Sequence, residues 1–412
     1  MDWISAENLA TTWTELKSTR GRDGSKKTPV GIDGVSAAIF DTNLNANIQE
    51  ISRMLSQPDA GTVRPSRYRF APLRRKVISR EPGVLREICI PRIRDQIVLR
   101  AISNVLKHSM AQSGLRLPIT SPRQTIKQVI AAREAKFFRV LRTDISRYYQ
   151  SIPHDQLIDT VRALQIDARS LQLVSDLLTT PFRNPVEGKT GDIHPETGIP
   201  TGASISTLLG ELYLADLTAY FDGDDSRQLI RYMDDLLLVA KDEEILNRSA
   251  RDLHSRIEDK GLSLSQSKTR QTSFDHGFEF LGFQFESRQL TVSKKKSDKW
   301  IRAYRGIVRK YFEGVNEIVG EPVDDYLSEM ILEINKAIIG VNVMQVPYYS
   351  MADDLEPFQL LDLQIRQLIG GIFRRQGKRM DGDLRLESAY SWAWKYKRNH
   401  DKALAMAKKK FE

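Results

Sequence analysis

The run Leu229-Ile230-Arg231-Tyr232-Met233-Asp234-Asp235-Leu236-Leu237-Leu238-Val239-Ala240 sets two adjacent carboxylates between two apolar segments. Leu236 to Ala240 is too short for a helix of its own and reads as a strand, as does the segment before the acids. A β-hairpin with acids at its tip presents them to cations. Burying such a pair without cations is costly, so Asp234-Asp235 is either a solvated turn or a magnesium site. A third acid ends Val140-Leu141-Arg142-Thr143-Asp144, another strand-like segment, and the aromatic pair Tyr148-Tyr149 follows it. A sheet can bring Asp144 beside Asp234. Such a cluster suits phosphoryl transfer with two divalent cations roughly 4 Å apart, one activating an attacking 3′ oxygen and one neutralising a triphosphate. Carboxylate oxygens are the hard ligands that magnesium prefers.

The elements around these acids carry a family resemblance. Tyr232-Met233-Asp234-Asp235 after a strand resembles the signature of reverse transcriptases, and Asp144 with Tyr149 five residues on resembles their first catalytic motif. Gly198-Ile199-Pro200-Thr201-Gly202 before a helical stretch resembles the second palm motif. Ser267-Lys268-Thr269 resembles the motif bearing the family's lysine, and Phe278-Glu279-Phe280-Leu281-Gly282-Phe283 resembles the primer grip. Upstream, Gly31-Ile32-Asp33-Gly34-Val35 and Ile90-Pro91-Arg92-Ile93-Arg94-Asp95 resemble the fingers of group II intron and related bacterial enzymes. The resemblance spans about residues 28 to 290, with its motifs in family order.

The resemblance implies an α+β right-hand polymerase with fingers, a palm of antiparallel sheet plus helices, and a helical thumb and C-terminal domain. The implied division is an N-terminal extension over 1–27, mainly fingers over 28–140, palm with an interleaved fingers segment and primer grip over 141–290, and thumb with C-terminal domain over 291–412. The implied metal set is Asp144, Ile145, Asp234 and Asp235, holding two Mg2+ with Mn2+ as a substitute; Asp235 is either a ligand or the group that orients Asp234. Tyr149 would stack beneath the sugar of an incoming nucleotide and exclude a 2′-hydroxyl. Arg80 and Arg86 flank a Pro-Gly turn and would clamp the triphosphate, a task that suits the planar guanidinium fork. Lys268 would be the general acid for the leaving pyrophosphate, and Gly202 would let a template base approach. Each of these also has a plainer reading: a core aromatic, a solvated basic loop, a surface lysine, a turn glycine.

Composition agrees with a nucleic-acid partner. The chain has 412 residues, 41% of them hydrophobic, enough for a sizeable core. Its formal net charge is +9 and its pI about 9.4, which favours a polyanion through counterion release. One cysteine, Cys89, excludes an intramolecular disulfide framework or a cysteine zinc site. The six histidines form no close pair with metal-ligand spacing, which speaks against an appended histidine-rich nuclease. No apolar run approaches the roughly 20 residues of a membrane helix, and Met1-Asp2-Trp3-Ile4-Ser5 lacks a leader pattern, so the expectation is a cytoplasmic protein without membrane contact.

Beyond the motifs, the polar run Ser18 to Lys27 reads as a mobile or nucleic-acid-binding extension, and Glu187 to Thr197 as a hairpin or loop. Lys294 to Lys310 holds eight Lys or Arg against Asp298 alone. Trp300, Ile301, Tyr304 and Val308 fall on one face of that helix, leaving a basic face for a phosphate backbone. Helical patterning continues from Tyr326 to Glu412. There Trp392, Trp394 and Tyr396 read as anchors of the last helices, with base stacking beside Lys395 and Lys397 as the alternative.

Thr201 stands where many reverse transcriptases carry glutamine, Ser79 and Glu87 replace prolines common in group II fingers, and the retron Val-Thr-Gly triplet is absent, Leu290-Thr291-Val292-Ser293 being its nearest approach. With its helical C-terminus, the chain most resembles the antiphage reverse transcriptases of the abortive-infection and unknown-group clades. The resemblance implies an RNA template, a dedicated noncoding RNA, together with a DNA primer or product, dNTPs and antiviral defence; oligomers fit the helical C-terminus. The alternatives are a retron or intron-type enzyme, an untemplated or protein-primed DNA polymerase, and an inactive RNA-binding scaffold.

Overall fold

Five consecutive residues, Leu236 to Ala240, have no exposed surface. A strand that is apolar at every position is covered on both faces, and this one forms the middle of the main sheet. The computed structural model describes residues 2–18, 28–57, 68–81, 84–115, 121–183, 192–315, 323–339, 345–375 and 386–411. It divides into two units, Met1–Arg20 with Lys26–Gln271, and chiefly Thr272–Glu412.

In the first unit, β1 (Leu73–Glu81) and β2 (Val84–Ile90) form an antiparallel hairpin, with β4 (Phe182–Arg183) parallel to β1 on its other side. The main sheet is ordered β5-β6-β3-β7, from β3 (Arg139–Asp144), β5 (Arg227–Tyr232), β6 (Asp235–Ala240) and β7 (Arg270–Ser273). The helix Glu243–Asp259 lies over β3 and β6, while Pro122–Glu134 and Ala215–Phe221 pack on β5. Helix Glu243–Asp259 starts where the Asp242 carboxylate accepts the Ile245 N–H at 2.8 Å. It buries Leu246, Ser249, Leu253 and Ile257, a three-and-four spacing that makes one face. A continuous core runs from Trp3 to Leu262.

That core takes in the first helix. Ala6–Ser18 buries Leu9, Thr12 and Trp13, and the Trp13 indole N–H donates to Asp41 at 2.7 Å. This stretch is built into the first unit, where a fully buried tryptophan holds it; residues 19–27 lie outside the described residues. The two upstream motifs also meet: a Cβ on Gly31 would come within 2.6 Å of Arg92 Cα.

The second unit contains a small sheet, β8 (Phe278–Phe280), β9 (Phe283–Phe285) and β10 (Leu290–Val292), ordered β10-β9-β8. Its Leu281-Gly282 turn has φ of +47° and +85°. The sheet packs among the unit's helices: the Phe283 ring lies 5.1 Å from Tyr348 and 4.9 Å from Tyr349, and the Tyr349 ring 5.0 Å from Trp300. The boundary between the units falls at Gln271, ahead of the 278–283 segment, and aromatic contacts tie that segment to the helices after it. The helices are Lys294–Val315, Val323–Ile339, Gln345–Tyr349, Glu356–Arg375, Ala389–Arg398 and His400–Phe411. Trp300, Tyr304 and Val308 are buried along one face of the first of these, the face expected from their spacing. Of 187–197, residues 187–191 lie outside the described residues, while Ile193 bridges to Phe182 and Thr197 to Pro153. Among the described residues no helix is long and apolar enough to cross a membrane.

Candidate active site

β3 and β6 are antiparallel with Asp144 opposite Asp235, and β5 pairs with β6 so that Tyr232 also faces Asp235. Directly opposed residues project to the same face of a sheet, so register alone brings Asp144 and Asp235 together. Met233-Asp234 is left as a two-residue turn. The Ile145 N–H donates to the Asp234 carbonyl at 3.1 Å, which ties this turn to the end of β3. Met233 has φ +56°, a left-handed conformation that a side chain such as methionine rarely adopts.

A buried ion pair holds that turn. Arg231 Nη2 lies 2.9 Å from Glu211 Oε2, with side-chain exposures of 0% and 4%. Arg231 donates to the Met233 carbonyl at 3.2 Å and to the Thr218 hydroxyl at 3.2 Å, and the Glu211 carboxylate accepts the Met233 N–H. Burial raises the Glu211 pKa, against the opposing pull of Arg231 and of that N–H. Sequence reasoning does not single out either residue. The available signal was a lone charge inside each of two apolar runs, Leu229-Ile230-Arg231 and Leu208-Leu209-Gly210-Glu211-Leu212, since charges in such positions require partners.

Lys268 reaches the acids from the other side of β3. Its Nζ lies 2.7 Å from Asp144 Oδ2. The turn that carries it is pinned to the strand end: Ser265 N–H donates to the Asp144 carbonyl at 2.7 Å, Lys268 N–H to the Ser265 carbonyl at 3.1 Å, and the Thr143 and Thr269 hydroxyls are 2.7 Å apart.

The strand ends at Asp144, and Tyr148-Tyr149 open the short helix Tyr148–Ser151. Tyr148 is buried and its hydroxyl donates to the Gly210 carbonyl. Tyr149 is partly open, its ring edge-on to Tyr148 at 5.2 Å. Its side chain bonds Thr207, and burial pushes its pKa up to about 12, with Asp234 contributing. The second motif is fastened here: Ile199 N–H donates to the Tyr149 carbonyl at 2.7 Å and Gly198 N–H to the Ile152 carbonyl at 2.8 Å. Gly198 has φ +94°, and a Cβ there would lie 2.8 Å from the Tyr149 carbonyl oxygen.

Gly202 sits against β2. Its φ is +107°, and a Cβ would fall 2.5 Å from Ile88 Cγ2; Cys89 N–H donates to the Thr201 carbonyl at 2.7 Å. Arg86 is exposed on β2 and lowers the Asp234 pKa through its charge. The Arg80 side chain lies outside the described residues.

The acids repel one another. Burial, then Asp234 and Asp144, push Asp235 up to about 6, against Arg142 and Lys268. Asp234 is raised by burial and by Asp144, while Lys268 and Arg86 pull it down. Two like charges 4 Å apart at an effective dielectric of 20 repel by about 4 kcal/mol, so a cation among them relieves a real cost. Among the described residues no group of three His, Cys, Asp or Glu is ready-made to hold a metal ion; the Lys268 ammonium lies on Asp144, and Arg142 pulls on Asp235. The donor set fits a divalent cation by chemistry and by charge, since all three acids are hard oxygen ligands.

The pattern of the reverse transcriptase (RNA-dependent DNA polymerase) family matches residues 76–285. The chain belongs to the reverse transcriptase family. As a reverse transcriptase it is similar to Protein YkfC of Escherichia coli strain K12, 27% identical over 207 residues, which are 46% of this chain and 49% of that protein. It is similar to the "Uncharacterized 91 kDa protein in cob intron" of Schizosaccharomyces pombe, 23% identical over 216 residues, 51% of this chain and 24% of that protein. The chain thus spans about half the length of the first relative and about a quarter of the second. In fold, this reverse transcriptase is similar to apo telomerase from Candida tropicalis, with a TM-score of 0.50 and 12% identity over 85% of this chain and 67% of that one. The α+β architecture expected for a reverse transcriptase is the one found. The matched span contains Asp144, Tyr149, Gly202, Asp234, Asp235 and Lys268, and ends well before the last helices.

Proposed function

We propose that this chain is an RNA-directed DNA polymerase that joins deoxynucleotides to a 3′-hydroxyl. The observation that carries the reading is the β3–β6 register, which sets Asp144 opposite Asp235 with Asp234 in the adjoining turn. Asp144, Asp234 and Asp235 would hold two Mg2+, with Ile145 beside them, and Mn2+ as a substitute. When bound, the ions lower the pKa of the attacking hydroxyl and neutralise triphosphate charge. The remaining work falls to the chain's own groups. Tyr149 limits the space under the sugar and so favours deoxynucleotides. Lys268, already among the acids, delivers a proton to the departing pyrophosphate. Arg86 and Arg80 meet the triphosphate, and Gly202 keeps the floor of the pocket low beside β2. In this reading residues 28–140 are mainly fingers, 141–290 palm and 291–412 thumb with C-terminal domain.

The finer reading is an antiphage enzyme of the cytoplasm copying a dedicated noncoding RNA. The departures at Thr201, Ser79 and Glu87 support it, as does the helical segment after the family span.

The test uses purified protein with an annealed RNA template and DNA primer, Mg2+ and labelled dNTPs. Asp144→Asn should lose incorporation by at least about a thousandfold, within the range metal-assisted catalysis supplies, with an unchanged circular dichroism spectrum. An undiminished rate in that variant removes the proposal. Sequencing of co-purified RNA and of the product tests the template: a product complementary to one bound RNA is expected, and a product matching none overturns templated synthesis.

A further inference from the structure

Of the five tryptophans in the chain, Trp3, Trp13, Trp300 and Trp392 are at most 7% exposed, whereas Trp394 is 48% exposed. It lies on the helix Ala389–Arg398, outside the span that matches the family. An indole is among the largest apolar groups available for burial, so its outward position needs a reason.

The helix is not free to roll and cover it. Ala389, Trp392, Ala393 and Tyr396 are buried on one face. At the N-terminus the Asp362 carboxylate accepts the Ser388 hydroxyl and the Ala389 N–H, both at 2.6 Å. Toward the C-terminus the Tyr396 hydroxyl donates to the Ile339 carbonyl at 3.1 Å, and Lys397 Nζ to the Asp353 carbonyl at 3.0 Å. With both ends fixed, Trp394 is held outward on a rigid element. The Arg398 guanidinium lies 4.6 Å from its ring centre, one helical turn on. The helix contains no acid, and its last turn holds Lys395, Lys397 and Arg398. Asp401 and Lys402 are both exposed just beyond.

We infer that Trp394 and Arg398 form a stacking platform for a single-stranded polynucleotide. The indole takes a base face, and the guanidinium, already parallel in function to a cation–π partner, meets the adjoining phosphate. Charge selects this occupant: an apolar partner surface has no use for a helix whose every charged residue is basic, whereas a polyanion does. The platform goes beyond the polymerase reading and does not depend on it.

The four buried tryptophans make Trp394 readable by fluorescence. Acrylamide quenching of tryptophan emission would be measured in the full chain, with and without a labelled oligouridylate of about twelve nucleotides, a length within known single-strand site sizes, and with oligothymidylate of the same length. Bound oligomer should shield the quencher-accessible emission. Trp394→Phe should lack that component, and Trp394→Ala should weaken oligomer binding about tenfold, the scale of one stacked base. Shielding by both oligomers supports a stacking platform. Persisting quenching when anisotropy shows the oligomer bound overturns it, as does equal shielding by a blunt duplex or shielding that grows with protein concentration alone, which would mean that a second copy covers the ring. Asp144→Asn should give the same shielding as the unaltered chain, so failure of the carboxylate reading and failure of this one are read separately.

Discussion

Arg231 and Glu211 grip the same residue from both sides: the guanidinium donates to the Met233 carbonyl, the carboxylate accepts the Met233 N–H, and the two ions lie 2.9 Å apart. The pair thereby fixes a left-handed residue directly before Asp234. Removing one member leaves the other charged and buried, which costs about 3–5 kcal/mol. Arg231→Met alone should therefore lower stability by that amount in urea unfolding. Arg231→Met with Glu211→Leu should recover most of the stability, yet incorporation should stay depressed, through kcat more than KM, because Met233 has lost both bonds. Full recovery of the rate in the double variant would reduce the pair to packing.

Lys268 bonds Asp144 but is largely solvent-exposed, with 62% of its side chain accessible. Such a pair adds at most about 1 kcal/mol to stability. Lys268→Ala should thus unfold nearly as the unaltered chain does, while incorporation falls by about a hundredfold or more, as loss of a general acid predicts. Pre-steady-state measurement should place the loss in the chemical step; a loss confined to KM would assign Lys268 to binding alone.

Asp235 titrates at about 6 in the fold, above the roughly 3.9 of an unfolded aspartate. The folded state therefore favours the protonated acid. Its contribution to stability is fully present below about pH 4 and is lost as the pH rises through about 6. Without divalent cations, Asp235→Asn should stabilise the chain at pH 8, by up to about 3 kcal/mol, and do little at pH 4. Thermal unfolding of both proteins in chelator across this range checks the sign, and a benefit that is larger at pH 4 than at pH 8 would contradict it.

Tyr149 lies close enough to Asp234 for that charge to raise its pKa, and its ring would be 3.1 Å from a Cβ on Gly210. With its far side packed against the helix Ser206–Tyr213, which carries Gly210, the ring cannot retreat from a bulkier sugar. Tyr149→Ala should raise ribonucleotide use relative to deoxynucleotide use by about tenfold or more, on the scale of steric discrimination in a packed pocket. An unchanged ratio of the two kcat/KM values would remove the gate.

Much of the site is legible in the sequence. The acids at a strand end and a hairpin tip, the two-strand reading on either side of them, and the buried face of Trp300, Tyr304 and Val308 all follow from local periodicity and from the cost of burying charge. Other expectations needed the fold. The helix Ala6–Ser18 joins the core because Trp13 finds a partner in Asp41, a residue that no local pattern connects to it.

The sequence by itself determined which groups this protein can bring to bear: three carboxylates in strand-and-turn settings, an aromatic after the first, a lysine downstream and an excess of positive charge. Tertiary structure decided their pairing. Asp144 meets Asp235 through strand register, Lys268 meets Asp144 through a turn pinned to the end of β3, Arg231 finds Glu211 from a separate helix, and Trp394 faces outward while Trp392 faces in. Periodicity is a property of neighbours along the chain, whereas a buried charge or an exposed ring is settled by which distant segments pack against it.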